Sequence, residues 1–268
     1  MFGLAGTFVG WRLSCLRSRW WLAGYLGPLF IILLCGAAFR HRALELIAPF
    51  SWLVSGRREY VVLAFCGAML FGVLLPKLRL RRQRVLLGIL IAVIVLVQAA
   101  WPFLAPVFNK AKLAALTTTF DGDGVCLQNT SYTCGPAAAV TALKQLGIAA
   151  DEGELAILCG TTDSTGTPPD VLTERLNFRF HGAGLQAVHR AFRSTSGLHG
   201  QTPALAWVRF AFLTDHVVAV LEVTSEAVVL GDPFRGKRVL THGEFEREWR
   251  FVGVTLRRAN DSSVRNRD

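Results

Sequence analysis

Apolar positions follow two patterns along the chain, and the change falls near residue 108. Before it lie three long uncharged runs: residues 20–39 (WWLAGYLGPLFIILLCGAAF), 60–76 (YVVLAFCGAMLFGVLLP) and 85–108 (VLLGILIAVIVLVQAAWPFLAPVF). A helix needs roughly 17–25 apolar residues to cross the hydrocarbon core, and each run is long enough. Trp20, Trp21, Tyr60 and Trp101 stand near the ends of these runs, where the headgroup level favours rings with one polar edge. Residues 43–55 are apolar but few and include Glu45, so they read as an interfacial or loop segment. The pattern predicts an all-α transmembrane region of about three helices over residues 1–108.

Past residue 108 the runs shorten. Residues 134–146 (CGPAAAVTALKQL) are helix formers behind a Gly-Pro start. Pro136 suits the first helical turn, where its missing N–H is no loss, and Gly147 marks the end. Further helices are expected over 152–159, from 170 to beyond 176, and over 242–249. Residues 202–211, 215–223 and 227–230 are rich in Val, Ala, Phe and Leu with a period near two, the mark of strands. Helices first and strands later predict an α+β domain with a largely antiparallel sheet over 109–256. The polar residues 257–268 predict a disordered tail.

Charge sharpens this division. Residues 1–108 hold only two acidic side chains, Glu45 and Glu59, so the formal charge of +10 belongs almost wholly to that part. The cations sit between apolar runs, as flanks of membrane helices do, which argues for a lipid bilayer and against nucleic acid as partner. Arg12, Arg17 and Arg19 precede the first run, and Lys77, Arg79, Arg81, Arg82 and Arg84 separate the second from the third. Arg40, Arg42, Arg57, Arg58, Lys110 and Lys112 fall on the other side. The denser set is expected in the cytoplasm, which places the C-terminal domain on the extracytoplasmic side of a multi-pass protein. No segment has the GxxxxGK[ST] spacing of an ATPase, and no Cys/His grouping has zinc spacing. No cofactor is expected.

The C-terminal domain carries the residues for thiol chemistry: a nucleophile, a base, a group that orients the base, and donors for an oxyanion. Cys134 opens a predicted helix, whose N-terminal field favours a thiolate. Gln128 lies six residues upstream, so a loop can bring its amide N–H₂ back to the oxyanion position beside the Cys134 N–H. His216 opens one strand, and Asp232 ends the return strand. Both are eight residues from Thr224, so a hairpin centred there sets them face to face. Asp232 is then expected to accept Nδ1–H of His216, leaving Nε2 for the thiol. Asp215 points to the opposite face. Taken singly, each residue has a plain structural reading; their mutual spacing is what favours chemistry. Cys126 and Cys159 are either a disulfide pair or two buried free thiols.

These residues resemble a known family. Leu127-Gln128 followed by Tyr132-Thr133-Cys134-Gly135-Pro136-Ala137-Ala138 is similar to the nucleophile motif of the bacteriocin-processing peptidases, family thirty-nine of the cysteine peptidases. The likeness continues through Gly166-Thr167, Pro203 to Ala206, Asp215 to Val220, Gly231-Asp232-Pro233, and Leu240 to Val252 with Phe245 and Trp249. It implies a papain-like fold, Cys134 as nucleophile, His216 as general base and acid, Asp232 as its orienter, and Gln128 at the oxyanion hole. It also implies a peptide or protein substrate, often cleaved after a double-glycine leader, and a separate peptide exporter as partner. The setting it suggests is a bacterial cytoplasmic membrane. A non-catalytic peptide-binding domain and an acyl transferase using the same residues stand as alternatives.

Overall fold

The computed structural model describes residues 2–16, 19–54, 57–211 and 214–259. It divides into two compact units, Met1–Ala105 and Pro106–Asp268.

The first unit is helical: α1 (Phe2–Ser14), α2 (Ala23–Arg40), the short α3 (Phe50–Val54), α4 (Arg58–Gly72) and α5 (Arg81–Val95). A π turn, Leu96–Ala100, carries α5 into α6 (Trp101–Ala114). Among the described residues, three helical runs are long and apolar enough to cross a membrane, Ala23–Arg40, Arg58–Lys77 and Arg81–Ala114. Many of their outward side chains, among them Leu26, Phe30, Leu86 and Val93, are large and apolar, as a lipid-facing surface requires. Among the described residues of the 43–55 segment there is no span, only the 3₁₀ turn Arg42–Leu46 and the five-residue α3; Ser55 lies outside the described residues. Helix α1 escaped the hydropathy reading. Its 13 residues fall short of a span, and it packs along α4 instead. Gly10 permits that approach, since a Cβ there would stand 2.3 Å from the Met69 carbonyl oxygen. Arg17, one of the basic flanks, lies outside the described residues.

In the second unit helices precede the sheet, as expected. A two-residue ladder of β1 (Thr119–Phe120) and β2 (Cys126–Leu127) leads to α7 (Cys134–Gln145), α8 (Glu152–Leu158) and α9 (Pro169–Phe180). Then come β3 (Leu185–Ala191), β4 (Ala204–Ala211), β5 (Thr214–Val223), β6 (Ala227–Asp232), β7 (Gly236–Thr241), α10 (His242–Glu248) and β8 (Trp249–Arg258). The strands form one antiparallel sheet in the order β3-β8-β4-β5-β6-β7.

Helix α7 is buried continuously from Gly135 to Leu143, and its small side chains let it lie close on the sheet. A Cβ at Gly231 would meet Thr141 Cγ2 at 2.9 Å. Leu230 and Asp232 alternate with Gly231 and so point to the opposite face. There Leu230 joins Val218, Val220, Val228, Phe245 and Trp249 in a buried cluster. The rings of Phe245 and Trp249 stack with centroids 5.1 Å apart. Each buried side chain of this size contributes roughly 1.5–3 kcal/mol. The cluster therefore anchors α10 and the end of β6.

Strands β3, β7 and β8 were not foreseen. Arg257 and Arg258 belong to β8, paired with Gln186 and Leu185, rather than to a disordered tail. Buried Val254 and Leu256 hold that end of the strand in the sheet. Residues 260–268 of the expected tail lie outside the described residues.

Candidate active site

The site is assembled at one end of the sheet. His216 is near the start of β5 and Asp232 closes β6. The hairpin is not centred on Thr224. Ala219 pairs with Gly231 and Val220 with Leu230, and an irregularity follows before Glu222. That register sets His216 diagonal to Asp232 by two residues rather than directly opposite. A diagonal of two keeps both side chains on one face and within reach. The result is a hydrogen bond of 2.7 Å between His216 Nε2 and Asp232 Oδ1.

The ring is therefore turned over relative to the expectation. Nε2 serves the carboxylate, and Nδ1 is the nitrogen left for the thiol. Burial by itself would depress the His216 pKa; the Asp232 hydrogen bond and the Cys134 thiol outweigh it and lift the pKa to about 9. The imidazolium is thus the favoured form at neutral pH. Burial would raise the Asp232 carboxyl, but the bonds from His216 and from the Phe234 N–H carry it below the ordinary value. Oδ1 also accepts the N–H of Phe234 at 2.9 Å and of Arg235 at 3.3 Å. Pro233 leads into this turn, and the turn itself holds the carboxylate.

Two exposed rings flank the pair. Phe210 lies 5.3 Å from the His216 ring, centroid to centroid, and meets Phe234 edge-on at 5.7 Å. They line the approach to a histidine that is itself only 6% exposed.

Cys134 is half-buried and is the first residue of α7, a position whose amides lack intrahelical acceptors. Upstream, Thr133 is fully buried, and its hydroxyl binds the amide and hydroxyl of Thr130 at 3.2 and 3.0 Å. Gln128 is tied to the Asp232 turn, its amide N–H donating to Pro233 O at 2.9 Å. Its side chain differs from expectation. Nε2 donates to Thr130 O at 2.9 Å, the nearest carbonyl in its own tight loop. One of the two amide hydrogens is therefore committed locally and one is left over.

One residue of the site was missed. Glu152, fully buried at the start of α8, accepts the Asn129 main-chain N–H at 2.9 Å and also binds Asn129 Nδ2. It pins the loop beside Gln128. A carboxylate in a first helical turn is so ordinary that nothing local marked it.

Other candidates fall away. Asp215 is bound by Arg250 Nε at 2.8 Å, and His242 is spent on Thr195 Oγ1 and Thr224 O at 2.8 and 3.1 Å. Cys126 and Cys159 are free thiols, both pushed up to about 12 chiefly by burial. Among the described residues, no group of three or more His, Cys, Asp or Glu could hold a metal.

Several known proteins are similar to parts of this chain. An uncharacterised protein of Methanothermobacter marburgensis is 32% identical over 120 residues, covering 44% of this chain and 78% of the relative. Another, from Methanothermobacter thermautotrophicus, is 26% identical over 132 residues, 49% of this chain and 87% of its own. Among solved structures, a double glycine motif protease from an AMS/PCAT transporter, in complex with the leader peptide, covers 53% of this chain and 94% of its own. It is 16% identical, with a TM-score of 0.43. The peptidase domain of Streptococcus ComA, a bi-functional ABC transporter, covers 49% and 96% at 19% identity and a TM-score of 0.44. The model of the peptidase C39 family matches residues 124–262, more than half of the sequence. The chain belongs to the peptidase C39 family.

Proposed function

We propose that this protein is a membrane-anchored cysteine peptidase that hydrolyses peptide bonds through an acyl-thioenzyme at Cys134. The observation that carries the reading is His216, a buried imidazole bonded to Asp232 at 2.7 Å and acted on by the Cys134 thiol. Proton transfer from Cys134 to Nδ1 gives a thiolate–imidazolium pair, which the α7 N-terminus favours. The thiolate attacks the substrate carbonyl carbon and its π electrons pass to oxygen. The Cys134 main-chain N–H and the remaining Gln128 amide hydrogen stabilise that oxyanion. As the tetrahedral adduct collapses, the C–N bond breaks and His216 gives its Nδ1 proton to the leaving amine. Water, deprotonated by the now neutral ring, attacks the thioester and releases the acid and the free thiol. Asp232 stays ionised throughout and holds the ring. The chemistry uses no metal.

The Lys/Arg distribution supports an extracytoplasmic peptidase unit, so its substrates would be peptides present on that side of the membrane. A separate exporter would deliver them.

The test is turnover of peptide substrates by the full chain in detergent or nanodiscs. Hydrolysis should be lost in Cys134→Ala and His216→Ala. Undiminished turnover in Cys134→Ala would sink the assignment. Binding of peptide without turnover by the unmodified protein would favour a binding module, and incorporation of a labelled amine would reveal acyl transfer.

A further inference from the structure

We propose that Arg238, braced by Glu248, is a positioning residue that fixes the second oxygen of Asp232 behind His216. The inference rests on the peptidase reading and extends it to β7 and α10, which neither the nucleophile nor its base occupies.

The need for such a residue follows from the carboxylate. Asp232 is 1% exposed, and Oδ1 takes His216 together with two main-chain N–H groups. A carboxylate turns readily about its last torsion unless both oxygens are held. Oδ2 meets Nη1 of Arg238 at 3.5 Å. Arg238 is opposite Leu230 on β7 and so projects from the same face as Asp232. Its guanidinium is forked onto Glu248, Nη1 to Oε2 at 3.1 Å and Nη2 to Oε1 at 3.0 Å. A two-point Arg–carboxylate contact fixes direction as well as charge. Glu248 ends α10 directly before Trp249, which is fully buried in the core. The chain of contacts thus runs Cys134, His216, Asp232, Arg238, Glu248, and its far end is anchored on the core.

The distances show how the cation is shared. Glu248 holds it closer than Asp232 does. Asp232 is therefore only partly neutralised and keeps most of its field for His216. Groups facing this line are His216 on β5, Cys134 on α7, Arg238 on β7, Glu248 on α10 and Arg235 in the turn. The Asp215–Arg250 pair joins β5 to β8 on the other side at 2.8 Å.

Opposite substitutions then act with opposite sign. Arg238→Met removes a cation near Asp232 and should make His216 hold its proton to higher pH. Glu248→Gln leaves the cation unopposed and should make His216 release it earlier. Arg238→Lys keeps the charge and should stay near the parent. The readout is the alkylation rate of Cys134 against pH in the full-length protein, followed by mass spectrometry of the labelled peptide. The step marking His216 deprotonation should rise by about half to one pH unit in Arg238→Met and fall by a similar amount in Glu248→Gln. A merely structural role would slow the variants without moving the step in opposite directions. An unmoved step in both variants overturns the inference while leaving the peptidase reading intact. If Arg238→Met does not fold, Glu248→Gln decides: its step should fall, and an unmoved or raised step overturns the inference. A parent protein with no His216-dependent step refutes the peptidase reading, and this inference with it.

Discussion

Asp232→Asn removes one charge and changes almost nothing in shape. Asn can still accept the Phe234 and Arg235 N–H groups, so the turn should survive. What it loses is the partner that lets a buried ring stay charged. In the parent, His216 holds its proton to about 9 rather than 6.5, although burial pulls the other way. At about 1.36 kcal/mol per pH unit, that preference is worth roughly 3 kcal/mol, and the favourable contacts supply more than this because they also overcome burial. Without the carboxylate the largest factor that raises the pKa is gone while burial remains, and the ring should release its proton well below the parent's value of about 9. Near pH 7.5 the parent ring is almost wholly imidazolium, and the variant ring should hold that charge far less firmly. The thiolate then loses its counter-charge. Alkylation of Cys134 near pH 7.5 should slow by about 100-fold, since every ~1.4 kcal/mol is tenfold. The stability signs follow. The raised His216 pKa adds stability that is complete below about 6.5 and is lost as pH rises through about 9. The lowered Asp232 pKa adds stability that is present above about 3.9 and is lost as pH falls. Parent and variant should therefore differ most in stability between about pH 4 and 6.5, and the difference should narrow as pH rises through about 9. Rate–pH profiles of the two that superimpose would refute this reasoning.

Three further outcomes are expected. Gln128→Leu should fold normally and lower kcat by about 10²–10³ with little change in KM, as loss of one oxyanion donor does; an unchanged kcat in a peptide assay removes Gln128 from the site. Glu152→Leu should lower the melting temperature of the peptidase unit and lose about 1.5–3 kcal/mol, the worth of the hydrogen bonds to a charged group that hold the Asn129 loop, whereas an unaltered melting curve means the loop is held otherwise. A reporter fused after residue 259 should respond on the extracytoplasmic side, and a cytoplasmic signal reverses the orientation and restores leader processing as the substrate class.

Much of this was legible because it is local. Cys134 directly ahead of Gly135-Pro136 gave the helix Cys134–Gln145 to within a residue. The Val-rich alternation gave β5 and most of β6. The three apolar runs gave the long helices, since a span is a matter of composition. What stayed hidden depends on register and distant partners. Strand β8 is a ten-residue strand between β3 and β4, yet its Arg ends and Gly253 blurred the period. The hairpin turns beyond Thr224 and a one-residue irregularity before Glu222 resets its register, so Asp232 lies two positions off His216, which no symmetry about Thr224 could reveal. The nitrogen facing the thiol depends on that same register. Arg238, Glu248 and Glu152 look like ordinary surface charges in the sequence; only the fold brings them behind Asp232 and Asn129. Helix α1 was hidden by glycines that are poor helix formers alone but allow contact with α4.

The central claim is that Cys134 becomes covalently acylated. The most direct measurement is intact mass spectrometry of the full chain, quenched with acid soon after mixing with an activated peptidyl ester. The account predicts one added acyl group, mapped to Cys134, that decays as product appears and is absent from Cys134→Ala. A mass that never changes while substrate is consumed, or an adduct that persists in Cys134→Ala, would contradict it.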